Sequence, residues 1–215
     1  MSSPLDSAPY KTVLLLGPPG VGKGTQGQIF RHIPGFHHCA CGDVFRSINI
    51  SSELGKIFYD YSSRGELVPD HITIRLWAEN IHARVILNDF KPDVDLLILD
   101  GIPRNVQQAK MLENYLEVVK VCHMVCPDED EMIHRLRRRA LKENRIDDAS
   151  EDVIRNRWHV YQEQTAPVLA YYPDDLIVPI DALKSPSEVL EQILQTVIPI
   201  QNAIFYDNPQ DGPSV

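Results

Sequence analysis

Gly17-Pro18-Pro19-Gly20-Val21-Gly22-Lys23-Gly24-Thr25 is the stretch on which the fold turns. Before it, Thr12 to Leu16 is an apolar run of strand length; after it, Lys23 to Arg31 reads as a helix that ends ahead of Pro34-Gly35. A strand that feeds a glycine-rich loop opening a helix aims successive backbone N–H groups at an anion, and the helix dipole adds favourable potential. Lys23 supplies a point charge for the distal phosphates of a nucleotide. The spacing meets G-x4-G-K-[ST] except at its last position, where Gly24 stands and Thr25 follows one residue later. A glycine turn without a ligand has no need of a lysine set at a helix start, so the phosphate-loop reading prevails.

Working outward, the chain alternates strands and helices. Phe36 to Cys41 is a second candidate strand, and two helices are expected between Gly42 and Ser63, separated near Ser51-Ser52. Pro69 suits a first helical turn, and that helix runs to Leu87. Leu96-Leu97-Ile98-Leu99 is a second buried-strand run, closed by Asp100-Gly101; a helix over Asn105–Leu116 and an apolar run over Val118–Val125 follow. Further helices are expected over Glu129–Ala140, over Glu151–Ala170 with Ser150 as N-cap, and over Ser187–Val197, with a last strand at Leu176–Ile180. Strands alternating with helices imply a parallel sheet covered on both faces, with ligands at the carboxyl ends of the strands. Residues 1–10 read as a loose arm and 11–197 as one domain. The tail, 198–215, has three prolines and no clear period, so disorder is expected there unless Ile204-Phe205-Tyr206 docks on the domain.

At 215 residues the chain suits one α/β domain. Its net charge of −9 argues against a broad basic face for nucleic acid or anionic membrane. No apolar run approaches the roughly 20 residues that span a bilayer, and Met1 to Tyr10 does not read as a secretory signal. The cysteines fall as Cys39-x-Cys41 and Cys122-xxx-Cys126 inside apolar runs, without the C-x2-C spacing of a zinc site. They are expected to be reduced, partly buried thiols of a cytoplasmic protein with no structural zinc.

Two further clusters carry chemistry. Asp100, at the end of its strand beside the phosphate loop, is placed to organise Mg²⁺ directly or through water. Arg135, Arg137, Arg138, Arg139, Lys142 and Arg145 crowd residues 135–146 with Glu143 as the lone acid, a local charge of +5. A charge run is ordinarily a solvated face. An arginine-dominated one, extended by Arg155 and Arg157, also suits the bidentate phosphate contacts that phosphoryl transfer requires.

The run Gly17 to Gln26, GPPGVGKGTQ, resembles the signature loop of the adenylate kinases and related nucleoside monophosphate kinases, in which a Gly follows the Lys and the Thr comes next. Asp100-Gly101-Ile102-Pro103-Arg104 is similar to that family's D-G-[FY]-P-R, Cys41-Gly42-Asp43-Val44-Phe45-Arg46 to [ST]-G-D-x-[LM]-R, and Gly65 to Asp70 to G-x-L-V-[PT]-D. The motifs occur in family order over roughly residues 11–197.

The resemblance implies a P-loop NTPase fold with a five-stranded parallel sheet, helices on both faces, a helical insert for the monophosphate over about 43–73 and a short lid over about 139–149. It implies a reversible transfer of the γ-phosphoryl group of Mg·ATP to AMP by a monomer. By the same match Gly20, Val21, Gly22, Lys23, Gly24, Thr25 and Arg135 would bind ATP. Cys41, Arg46, Val68, Gly101, Arg104 and Gln108 would bind AMP, and Lys23, Arg104, Arg139, Arg145 and Arg157 would be catalytic. Read without the family, Arg46 would be a surface arginine, and the bland alternative for Gln108 is a solvent-facing helical glutamine. Cys41 replaces the usual Ser or Thr, Ile102 the usual aromatic residue, and Ala140 a common glycine; Ala149-Ser150 lengthens the path to Arg157 by one residue. Two alternatives remain open: another acceptor such as CMP or UMP, against which Gln108 argues, and a nucleotide-binding protein without turnover.

Overall fold

The structure, a computed structural model, describes residues 9–143 and 150–206. Its first strand, β1 (Tyr10–Leu16), leads through the glycine loop into α1 (Lys23–Phe30), and β2 (Phe36–Ala40) returns to the sheet. Cys41, expected to end β2, instead begins α2 (Cys41–Arg46); α3 (Glu53–Ser62) and α4 (Asp70–Ile86) follow. Then come β3 (Leu96–Asp100), α5 (Val106–Leu112), β4 (Leu116–Val125), α6 (Glu129–Glu143), α7 (Glu151–Val160), β5 (Ile177–Asp181) and α8 (Pro186–Phe205).

The five strands are all parallel, in the order β2-β3-β1-β4-β5. Side chains alternate between faces, as a pleated strand requires. Leu14, Leu97 and Leu99 pack on one face with Trp77 and Ile81 of α4 and Leu112 of α5. Val13, Leu15, Leu96 and Ile98 pack on the other with Phe30 of α1 and Val189, Ile193 and Val197 of α8. Burial on both faces explains why these strands read as continuous apolar runs rather than as alternating ones. From β1 the chain moves outward to β2, whereas from β3 it crosses β1 to reach β4. The reversal opens a crevice between the carboxyl ends of β1 and β3, where Leu15 lies opposite Asp100.

Three expectations need correction. The helix expected over Glu151–Ala170 is α-helical only to Val160; a π-helical turn at Tyr161–Thr165 and a 3₁₀ turn at Ala166–Tyr171 carry the chain past Pro167. The arm is shorter than 1–10, because Tyr10 is already in β1. The tail is not unstructured from residue 198, since α8 passes through Pro199 and ends at Phe205. An internal proline costs a helix about 3 kcal/mol. Here Ile204 and Phe205 pack against the second core, and the buried Gln201 donates from Nε2 to the Gly35 carbonyl at 2.8 Å. Burial and that hydrogen bond offset the break.

Candidate active site

The glycine loop is shaped by left-handed backbone at Gly20 (φ 87°) and Gly22 (φ 104°), which a side chain would strain. Gly22 is the N-cap of α1 and offers no side-chain hydrogen bond, so the helix's opening N–H groups have no side-chain cap to satisfy them. The Lys23 ammonium is folded back into the loop, donating to the carbonyls of Gly17 at 2.8 Å and Pro18 at 2.9 Å. Its pKa is pulled down to about 8, first by burial; the Asp100 carboxylate opposes that shift, while Arg104, Arg139 and Arg157 add to it. Three arginines distant in sequence therefore converge electrostatically on one lysine.

Asp100 ends β3 at 8% exposure, and its Oδ2 would lie 3.8 Å from a β-carbon placed on Gly24. The residue in the usual hydroxyl position thus faces the carboxylate across a narrow gap. A single buried carboxylate next to a phosphate loop suits Mg²⁺, a hard cation that keeps its waters and takes oxygen ligands from the nucleotide. Among the described residues no cluster of three or more His, Cys, Asp or Glu could hold a metal by itself.

On the other side of the crevice, Arg104 Nε donates to the Gly101 carbonyl at 2.6 Å, and Thr165 Oγ1 donates to the Arg104 carbonyl at 2.8 Å. Gln108 is not the exposed helical residue that its type suggests, since it is 1% exposed. Its Oε1 accepts from the Arg104 N–H at 2.8 Å and its Nε2 donates to Asp70 Oδ1 at 2.8 Å. A primary amide has two donors and two acceptor sites, so one of each remains. Asn105 N-caps α5, accepting from Gln108 N, and donates to the same Asp70 oxygen at 2.9 Å.

The Arg46 guanidinium pairs with Asp43 at 2.5 Å and crosses over Gly42, where an added β-carbon would sit 3.0 Å from Arg46 Nη2. Cys41, 2% exposed, is a neutral thiol whose pKa burial pushes up to about 12. The carbonyl of Val68 accepts from Thr73 Oγ1 at 3.3 Å. On α6, Arg135 is held flat by Glu131 at 2.7 Å and by the Ala182 carbonyl at 3.0 Å. The outer arginines of the cluster are paired differently: Glu151 engages both Arg137 and Arg155.

All these elements face one cleft of about 1000 Å³. It is lined by the phosphate loop from Gly20 to Thr25, by Asp100, Gly101, Arg104 and Gln108, by Cys41, Arg46 and Val68, and by Arg135, Arg139 and Arg157. Arg145 lies outside the described residues. Sequence reading missed Asp70, Asn105 and Thr165, which anchor Gln108 and Arg104. Asn105 did carry a signal, as a capping residue at a helix start, and Asp70 closes the Gly65–Asp70 motif without a role having been assigned to it; Thr165 carried none.

Residues 15–176 match the model of the family described as adenylate kinase. The chain belongs to the adenylate kinase family. Among curated adenylate kinases, that of Kocuria rhizophila is 38% identical over 188 residues, covering 85% of this chain and 96% of the relative. The adenylate kinase of Thermobifida fusca is 40% identical over 189 residues, covering 85% and 95%, and that of Rhodococcus erythropolis 41% over 184 residues, covering 82% and 93%. Membership of the adenylate kinase family accounts for the P-loop and the parallel five-stranded sheet together. It also implies, in general, a requirement for Mg²⁺ with ATP. Among the described residues of this adenylate kinase family member, no helix is long and apolar enough to cross a membrane.

Proposed function

We propose that this chain transfers the γ-phosphoryl group of Mg·ATP to AMP, giving two ADP. The observation that carries the reading is Gln108: a buried amide, fixed by Asp70 beside Arg104, with one donor and one acceptor left for a base edge. Adenine offers that complement through its amino group and an adjacent ring nitrogen.

The donor triphosphate lies along Gly20–Thr25. Lys23 leaves the Gly17 and Pro18 carbonyls for the phosphate oxygens, which are the stronger acceptors. Arg135 presents a flat guanidinium face to the donor base, held in that plane by Glu131 and Ala182. Arg46 and Arg104 grip the acceptor phosphate in bidentate fashion, and Cys41, Val68 and Gly101 line the acceptor nucleoside. Asp100 would hold Mg²⁺ through its waters, and the ion would supply positive charge against the donor phosphates. An acceptor phosphate oxygen, already anionic near neutral pH, attacks in line, so no side-chain base is needed. Lys23, Arg139, Arg145 and Arg157 bear on the charge that spreads over the equatorial oxygens. With residues about 43–73 as the acceptor insert and about 139–149 as the lid, of which 144–149 lie outside the described residues, closure of both excludes water that would otherwise be phosphorylated.

The test is a coupled assay of ADP release with Mg·ATP and AMP, CMP, UMP or GMP separately, beside a control without acceptor. We expect AMP to exceed the others at least tenfold in kcat/KM, and Lys23→Ala to lose turnover by about 10²-fold or more. Preference for CMP or UMP would overturn the acceptor assignment, and tight ATP binding without turnover on any acceptor would overturn the reaction.

A further inference from the structure

The acceptor insert meets the helix bearing Arg157 at Arg64-Gly65. Asn156 Nδ2 on α7 donates to the Arg64 carbonyl at 2.7 Å, joining residues 92 apart in sequence. The next residue, Gly65, is buried and has φ 73°. A β-carbon there would stand 2.8 Å from the Val153 carbonyl and 2.9 Å from Arg157 Cγ. The backbone of the insert's exit thus rests directly on α7 between Val153 and Arg157, the residue that reaches into the cleft. The Arg64 side chain takes no part, because its guanidinium is bound to Asp60 at 2.6 Å and Glu66 at 2.9 Å within its own turn. Beyond Gly65 the same strand of chain runs to Leu67 and Val68, on the cleft wall.

We infer that Asn156 is a positioning residue: its amide latches the exit of the acceptor insert to α7, so that the acceptor wall and Arg157 are set by one contact. The inference rests on the AMP-kinase reading given above. Two neighbouring residues divide the work. Asn156 turns outward to hold the insert, and Arg157 turns inward, close enough to Lys23 to lower its pKa. Loss of the amide frees the insert to swing away from α7. A larger share of molecules then has the acceptor wall out of place, and apparent acceptor affinity falls by that share. The donor loop, built on β1 and α1, makes no part of this contact.

The experiment compares the full chain with Asn156→Ala and with Asn156→Gln, which keeps an amide donor. KM values for AMP and for Mg·ATP are measured separately, alongside the thermal midpoint. Asn156→Ala should raise the KM for AMP about fivefold, the size of one net hydrogen bond. The KM for Mg·ATP should stay within error, the melting midpoint should fall by no more than the roughly 2–4 °C that one hydrogen bond is worth in a chain of this size, and Asn156→Gln should recover most of the loss. Equal changes in both KM values, no change in either, or a lowered midpoint without a difference between the two KM values would overturn the latch. A wild-type chain inactive on AMP would sink the functional reading and the latch with it, whereas an active wild type with an unaltered Asn156→Ala variant sinks the latch alone.

Discussion

Lys23 donates to two carbonyls of its own loop at 2.8 and 2.9 Å, and its pKa stands near 8. Both facts have a measurable sign. The ordinary lysine value is 10.5. Between about 8 and 10.5 the folded protein therefore holds fewer protons than the unfolded chain, and this group's contribution to stability rises with pH across that window. A triphosphate against Lys23 favours the charged form and raises its pKa. We predict that ATP binding at pH 8.5 takes up a proton through Lys23, while at pH 6.5, where Lys23 is already charged, it takes up none there. Calorimetric titration in buffers of different ionisation enthalpy measures the uptake. Lys23→Met should remove the uptake at pH 8.5, and an unchanged uptake there would place the titrating group elsewhere.

At the scale of elements, α1 is seated on β2 by contact of a glycine with a ring. A β-carbon on Gly27 would fall 2.0 Å from His38 Nε2. Helix propensity alone favours Ala over Gly by about 1 kcal/mol. We predict the opposite here: Gly27→Ala destabilises by about 1–3 kcal/mol through overpacking, and becomes neutral or stabilising in a His38→Ala background. Urea unfolding of the four proteins in that cycle provides the check. Element boundaries were legible where packing and local signals agreed, as at Ser150, whose hydroxyl accepts from Val153 N as an N-cap should. They were not legible where tertiary contacts overrode the local signal. Pro199 reads as a stop, but the helix beneath it is held by Gln201, Ile204 and Phe205. Cys41 continues an apolar run and yet turns into α2, because β2 ends where its partner β3 ends, at the pairing of Ala40 with Asp100.

Across the whole molecule, the functional cleft lies at one end of the sheet and the close of α8 lies away from it, with no cleft-lining residue beyond Val189 among the described residues. Ending the chain after Val197 should therefore separate stability from catalysis. We predict a loss of about 2–4 kcal/mol in urea unfolding from the partly buried Ile204 and Phe205, with KM values unchanged in the folded protein. The side chains proposed for the phosphates were legible as candidates in the sequence, because glycines, Lys23 and arginines have few alternative uses at those spacings, and those among the described residues line one cleft. The supporting contacts of Asp70, Thr165 and Asn156 were not legible. Each is an ordinary polar residue whose partner lies 38, 61 or 92 positions away.

The pairing of Leu15 with Asp100 makes the interior of the sheet a ruler. Parallel strands slip in steps of two residues, about 6.6 Å, if each side chain is to keep its face. One such slip between β1 and β3 would carry the carboxylate clear of the phosphate loop while each leucine kept its face. Val13, Leu14, Ile98 and Leu99, all fully buried, thus measure out a distance that they never touch. Substitutions among them that leave the protein folded can still be read as calibration errors, visible in turnover before they are visible in a melting curve.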